Sequence, residues 1–332
     1  MRILSAVFVA VIAARASAQT HQANLGQCPL ELGGRIENCR VAYRTFGSLD
    51  PQKKNAILIP TWFASRADTW LPLLGPTGIV DTTGFFVVVV ESLGAGSSSS
   101  PSNSESQHGL AFPEITVGDM VEASYRLATE QLKLPELHGV VGISLGGLQA
   151  FEWGVQHPEY VRRIVPIHGG PHQAVYGRAM WELVTRAAED GVRGVVPLDS
   201  TATNLARFMV LAASSPASAN QRADTNYSRD LAAEARQLRD VDLYEWSVHG
   251  RAILRHDIAR RFNGDMTKAA KVWRAKTLVV TSPQDHSIDS EPARAFARLI
   301  GADTLVLASA AGHGAIFGDT AAKTRVREFL KR

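Results

Sequence analysis

Gly142-Ile143-Ser144-Leu145-Gly146 is the stretch from which the rest of this chain can be read. A serine with a glycine two residues away on each side fits a sharp turn from strand into helix, which projects the side-chain oxygen above a sheet. The pattern is short enough to arise by chance, so its surroundings carry the weight. His138 to Ile143 reads as a β-branched strand and Leu148 to Gln156 as a helix, with Gly147 a further small residue where the helix must pass close to its neighbours. Upstream, Ala56 to Ile59 and Phe85 to Val90 are unbroken apolar runs, as expected of parallel strands covered on both faces. Thr116 with Asp119 forms a helix N-cap signal ahead of apolar positions at helical spacing. Downstream, Ile164 to Ile167, Thr277 to Val280 and Thr304 to Leu307 are strand candidates, with helices over Pro292 to Ile300 and Ala321 to Leu330.

The alternation breaks from Gly170 to about Lys276, where the pattern is helical and more polar (Met180 to Glu189, Asn204 to Ala213, Arg229 to Arg239, Tyr244 to Arg255). An α/β core over 19–169 and 277–332, interrupted by a helical cap over 170–276, accounts for 332 residues better than two tandem domains. Apolar residues at 45% and charged residues at 20% exclude a disordered or fibrous chain. The formal charge of +3 falls close to zero without Arg2 and Arg15, and no basic cluster interleaved with aromatics suggests nucleic acid as a partner. The Ser-rich segment Gly94 to Ser106 reads as a loop; its Gly94-Ala95-Gly96 lacks the third glycine of a dinucleotide site.

Met1-Arg2, the apolar run Ile3 to Ala14 and Ala16-Ser17-Ala18 have the order of a secretory signal over 1–18, with cleavage expected after Ala18. At about 12 residues the run is short of the roughly 20 needed to cross a bilayer, so no stable membrane insertion is expected and the protein should be secreted or periplasmic. Export gives the two cysteines a meaning. Cys28 and Cys39 flank a hairpin signal centred on Gly33-Gly34, and a bridge closing so short a loop stabilises a fold by about 3 kcal/mol. Two buried thiols are the other reading.

A serine hydroxyl needs a general base, and the base an orienting acid. His313 stands in the small-residue loop Ala310-Ala311-Gly312-His313-Gly314 just past the last strand, and Asp285 just past the preceding one. Both would reach the same rim of a parallel sheet as Ser144. Asp289 is an alternative acid; His168 and His286 are weaker bases, one after a different strand and one beside the acid. An oxyanion would be held by the amide of Leu145 and by one from Pro60-Thr61-Trp62-Phe63-Ala64, for which the Phe63 amide is favoured. Losing one such donor typically costs about 3 kcal/mol of transition-state stabilisation. The Trp62 and Phe63 side chains would line either the substrate site or the core. No metal or cofactor is required.

These residues resemble the homoserine O-acetyltransferase branch of the α/β-hydrolases. The likeness is carried by Val41-Ala42-Tyr43-Arg44-Thr45-Phe46-Gly47-Ser48-Leu49, by Ile115 to Val121, and most specifically by Gly142 to Trp153 running on to His157-Pro158. It implies the α/β-hydrolase fold, the chain order Ser144, Asp285, His313 for a catalytic triad, a helical cap that often forms a homodimer, and a substrate-facing Arg186 in Glu182-Leu183-Val184-Thr185-Arg186. Two departures bear on the reaction. The family's aspartate after the catalytic histidine, which helps hold the acceptor's amino group, is here Gly314, and the histidine of its oxyanion loop is Thr61. A site without a partner for an ammonium group discriminates strongly against it, and acetyl-CoA belongs to the cytosol. The expectation is therefore an exported serine hydrolase acting on a small-molecule ester or related acyl compound. An acyltransferase with a different acceptor and a noncatalytic binding protein on the same scaffold are the rivals.

Overall fold

The computed structural model describes residues 19–221 and 224–332; the expected signal segment, 1–18, lies outside them. Among the described residues, ten strands form a small hairpin and one sheet. The hairpin is β2 (Cys28–Pro29) against β3 (Arg35–Ile36). The sheet holds β1 (His21–Asn24), β4 (Arg40–Phe46), β5 (Ala56–Pro60), β6 (Phe86–Val90), β7 (Gly139–Ile143), β8 (Arg163–Ile167), β9 (Lys276–Thr281) and β10 (Asp303–Val306). Their spatial order is β1-β4-β6-β5-β7-β8-β9-β10, antiparallel at the β1 edge and parallel from β6 onward.

The apolar runs become central strands because both faces are covered. Ile57, Ile59, Val87, Val89, Val141, Ile143, Val165 and Ile167 enter one buried cluster, while Leu58, Val88, Val90, Val140 and Ile164 enter the other. This is the two-residue alternation of a strand expressed on both sides at once. Helix α1 (Val117–Arg126) begins at Thr116, whose side chain accepts from Asp119 N–H while the Asp119 carboxylate accepts from Thr116 N–H, a complete capping box. Helix α2 (Leu145–Gln156) follows β7 directly. Cys28 and Cys39 are joined, with Cα atoms 5.7 Å apart. The Ser-rich loop is tightly held: Asn103 Nδ2 donates to Gly96 and Ser98 carbonyls, and Ser98 and Ser100 are fully buried.

The insertion divides in two. Ile258 N–H donates to Pro171 O at 2.9 Å and His172 pairs with Asp257, so the chain leaves and returns through one neck. Between these points lie α3 (Val175–Val192), α4 (Leu198–Ala213), α5 (Pro216–Ala219), α6 (Tyr227–Leu238) and α7 (Leu243–Leu254), with α3 packed on α7 and α4 on α3 and α6. The stretch after the neck does not join them. Helix α8 (Met266–Val272) rests on α2 and on α9 (Ser290–Ile300). The Trp273 ring lies 5.2 Å from that of Phe296, and a Cβ on Gly154 of α2 would fall 2.2 Å from it. The core layer thus resumes near residue 258, earlier than the 276 read from sequence polarity. The chain closes with α10 (Ala315–Gly318) and α11 (Thr320–Lys331).

Candidate active site

Ser144 occupies φ 59°, ψ −121°, a conformation costly for any residue with a side chain and found where surrounding structure enforces it. The enforcement is visible in its neighbours. A Cβ on Gly142 would fall 1.9 Å from Gly146 O, and one on Gly146 would fall 2.6 Å from Pro60 O. Ser144 N–H donates to Ile167 O at 2.9 Å, tying the turn to the end of β8. The hydroxyl makes no hydrogen bond among the described residues, and the residue is 7% exposed.

One strand further, Asp285 follows β9 in a turn that buries its side chain. Its Oδ1 accepts the N–H groups of Ser287 and Ile288 at 2.9 and 3.0 Å, and its Oδ2 accepts His313 Nδ1–H at 2.8 Å. Burial disfavours the charge, but the facing His313 and the hydrogen bonds around the carboxyl outweigh it and hold the group well below the usual carboxylate range. The loop carrying His313 is pressed against the loop carrying Asp285: Gly312 lies at φ 58°, and a Cβ there would meet Gln284 O at 2.6 Å. With Nδ1–H committed to the carboxylate, Nε2 is the nitrogen free to accept a proton. Among the described residues no hydrogen bond joins it to Ser144.

The structure therefore brings Asp285 and His313 into contact on the rim that carries Ser144. Asp289 does not compete, because it caps α9 by accepting Glu291 N–H at 2.8 Å. His286 lies beside Tyr176, with ring centroids 6.1 Å apart. His168 is buried close to the same carboxylate. Its Nδ1 approaches Asp285 Oδ2 at 3.5 Å, too far for a strong hydrogen bond, and burial lowers its pKa and favours the neutral ring. It follows Ile167 as Ser144 follows Ile143, and these two residues are paired in register; that correspondence is the signal that could have found it.

Leu145 opens α2, so its N–H has no carbonyl within the helix and none elsewhere among the described residues; the Phe63 N–H is likewise unpartnered. Two unpartnered amides are what an oxyanion site at these positions requires. Thr61 points away, fully buried, and its hydroxyl accepts Ser92 N–H at 3.1 Å. The Trp62 ring packs on Trp70 and on Phe317 of α10, with centroids 5.6 and 6.0 Å away. The Phe63 ring inserts between Trp181 of α3 and Trp246 of α7.

Arg186 does not come to the site. Trp181, Val184, Thr185 and Ala188 form the buried face of α3, which turns position 186 outward; its side chain is 68% exposed and faces Glu189 at 4.0 Å. The residue types matched a family segment, but helix phase decides where the guanidinium goes. Among the described residues no group of three or more His, Cys, Asp or Glu is placed to hold a metal ion.

Comparison with known proteins agrees with this fold. Residues 57–320 match the model of the alpha/beta hydrolase fold family. A probable esterase of Corynebacterium glutamicum is 31% identical over 315 residues, covering 89% of each chain. The crystal structure of an acetylester hydrolase from Corynebacterium glutamicum superposes with a TM-score of 0.86 at 27% identity, covering 95% of this chain and 96% of that one. A homoserine O-acetyltransferase of Chlorobaculum parvum is 36% identical over 155 residues, 44% of this chain and 43% of that one. The chain belongs to the α/β-hydrolase family, in the branch that contains the homoserine O-acyltransferases, and is an ester-acting enzyme of the esterase or acyltransferase kind.

Proposed function

We propose that the protein is an exported serine esterase acting on short acyl esters of the acetate kind. The observation that carries this is the Asp285 Oδ2 to His313 Nδ1 contact on the sheet rim that also carries the strained turn at Ser144. Ser144 Oγ attacks the ester carbonyl as its proton passes to His313 Nε2, and the carbonyl oxygen takes the negative charge between the Leu145 and Phe63 amides. Collapse breaks the carbonyl to alkoxy-oxygen bond, and His313 returns its proton to the departing alkoxide. Water then attacks the acyl-serine, again giving a proton to Nε2; the acid leaves and Ser144 regains its hydrogen. Asp285 keeps the imidazole in one tautomer and offsets the charge it gains.

Hydrolysis is favoured over homoserine acylation by Gly314. A Cβ there would meet only a Phe317 ring carbon at 3.8 Å, so crowding does not explain the missing carboxylate. The acetylester hydrolase similar along nearly the whole chain supports a small acyl group. The order of charged, apolar and small residues over 1–18 supports export. The test is incubation of mature protein with a fluorophosphonate and with a panel of esters of rising acyl length. Labelling at Ser144 and turnover steepest for acetate esters are expected. Absence of both removes the reading, and an acylated alcohol or amine in place of free acid would move it to acyl transfer.

A further inference from the structure

We infer that His249, on the cap helix α7, is a positioning residue for the oxyanion loop and makes that loop dependent on the seating of the cap. The inference rests on the assignment of the Phe63 amide as an oxyanion donor.

His249 lies 185 residues from Ala64 in sequence, yet its Nδ1 accepts the Ala64 N–H at 3.1 Å. The other ring nitrogen meets Leu93 O at 2.9 Å. A backbone amide can only donate and a carbonyl only accept, so the ring must be neutral with its hydrogen on Nε2. Burial pushes its pKa down to about 4, partly opposed by the Leu93 carbonyl, which agrees with that neutral form. The side chain thus clamps two core segments: the turn holding Phe63 and Ala64, and the start of the Ser-rich loop.

What it clamps is a strained turn closed locally through one carbonyl, Trp62 O, which accepts Ser65 N–H at 3.3 Å and Ser65 Oγ–H at 3.1 Å. Ala64 has φ 46°, in the left-handed region that a residue with a Cβ enters at a cost. Phe63, whose amide is free among the described residues, is gripped through its ring by Trp181, Trp246 and His249 at centroid distances of 5.0, 4.8 and 5.9 Å. All three belong to the cap. Access for the histidine is also built in: a Cβ on Gly94 would fall 3.0 Å from His249 Cδ2 and 2.9 Å from Val248 Cγ1. Glycine at the position that superficially resembles a nucleotide-binding loop lets α7 come down onto the core. With α7 unseated, the Phe63-Ala64 turn keeps the Ser65 bonds to Trp62 O but loses the His249 hydrogen bond and its aromatic grip together, and the donor is no longer aimed.

Three variants separate positioning from packing. His249→Asn puts an amide oxygen near the place of Nδ1 and keeps the acceptor for Ala64; His249→Gln reaches Leu93 but abandons Ala64; His249→Phe fills the space and removes both bonds. With a short acyl ester, kcat should fall about a hundredfold in H249F and H249Q, the scale of a lost oxyanion donor. KM should change little, and H249N should recover most of the loss. A folded H249F with kcat within about twofold of wild type, or equal losses in H249N and H249Q, overturns the inference. Should H249F fail to fold, H249N against H249Q decides alone. If both of these are also unfolded, Gly94→Ala, which crowds the same ring, must lower kcat or the inference falls. Ser144→Ala, assayed beside them, keeps the two claims apart. If S144A retains turnover the esterase reading itself fails, whereas an inert S144A with an active H249F sinks only the role of His249.

Discussion

Asp285 and Glu152 are two carboxylates buried to the same degree, with side chains 1% and 0% exposed, and they serve opposite ends. Glu152, on α2, takes Arg260 at 2.7 and 2.9 Å and Arg261 at 3.4 Å. Arg260 reaches on to Glu31 of the N-terminal hairpin at 2.8 Å, and Arg261 bonds the same carboxylate. Burial opposes the Arg260 charge, but the two carboxylates outweigh it and bind its proton still more firmly. The result is a lock between three segments distant in sequence. Asp285 has two amides and one imidazole instead. A guanidinium never releases its proton, whereas an imidazole gains and loses one near neutral pH. A buried carboxylate becomes useful to chemistry or to architecture according to whether its cationic partner can let go.

Substitution at Asp285 should break that contrast most sharply. Asp285→Asn can still accept the Ser287 and Ile288 amides but no longer fixes the tautomer of His313. Turnover of a short ester should fall about ten-thousandfold, while the urea midpoint stays near wild type. Glu152→Ala should do the reverse. It removes the buried one of the two carboxylates that hold Arg260, which keeps Glu31, and should lower unfolding free energy by about 1.5–3 kcal/mol in urea titration, with kcat per folded molecule within a few-fold of wild type. A loss of activity at full stability in E152A would erase the distinction.

The third prediction concerns acid. His249 holds a folded pKa of about 4 against an ordinary 6.5, so the unfolded chain binds the proton more readily between those values. Its contribution is intact above about pH 6.5 and declines as the pH falls toward 4, by roughly 3 kcal/mol in all. Unfolding free energies measured across that interval should fall less steeply in H249N; parallel curves would show that the ring is not held neutral. The smallest effect is assigned to Arg186. On the outer face of α3 its replacement by Ala should change kcat/KM by less than about twofold, and a tenfold rise in KM would restore the substrate-facing role implied by family resemblance.

Much of the core could be read from residues alone because each signal was local. The strand at Gly139–Ile143, the glycines packed around Ser144, and the positions of Asp285 and His313 just past successive strands all depend on neighbours in sequence. The choice of Asp285 over Asp289 needed the turn itself, in which one carboxylate faces the imidazole while the other caps a helix. What escaped was long-range. Nothing near His249 points to Ala64, and nothing near Glu152 to Glu31: the first contact forms when α7 comes down over the sheet, the second when Arg260 and Arg261, just past the neck, reach both carboxylates. Arg186 is instructive in another way. The buried spacing of Trp181, Val184, Thr185 and Ala188 was present in the sequence, and weighing that periodicity above residue identity would have turned the arginine outward.

The central claim is that an acyl group is carried transiently by Ser144. Rapid-quench mass spectrometry of the enzyme mixed with an acetate ester measures this most directly. The account predicts an acetyl adduct on the peptide containing Ser144 that forms and decays at rates compatible with turnover, and its absence in S144A. Steady release of acid with no adduct at that serine, or with the adduct on another residue, would contradict it.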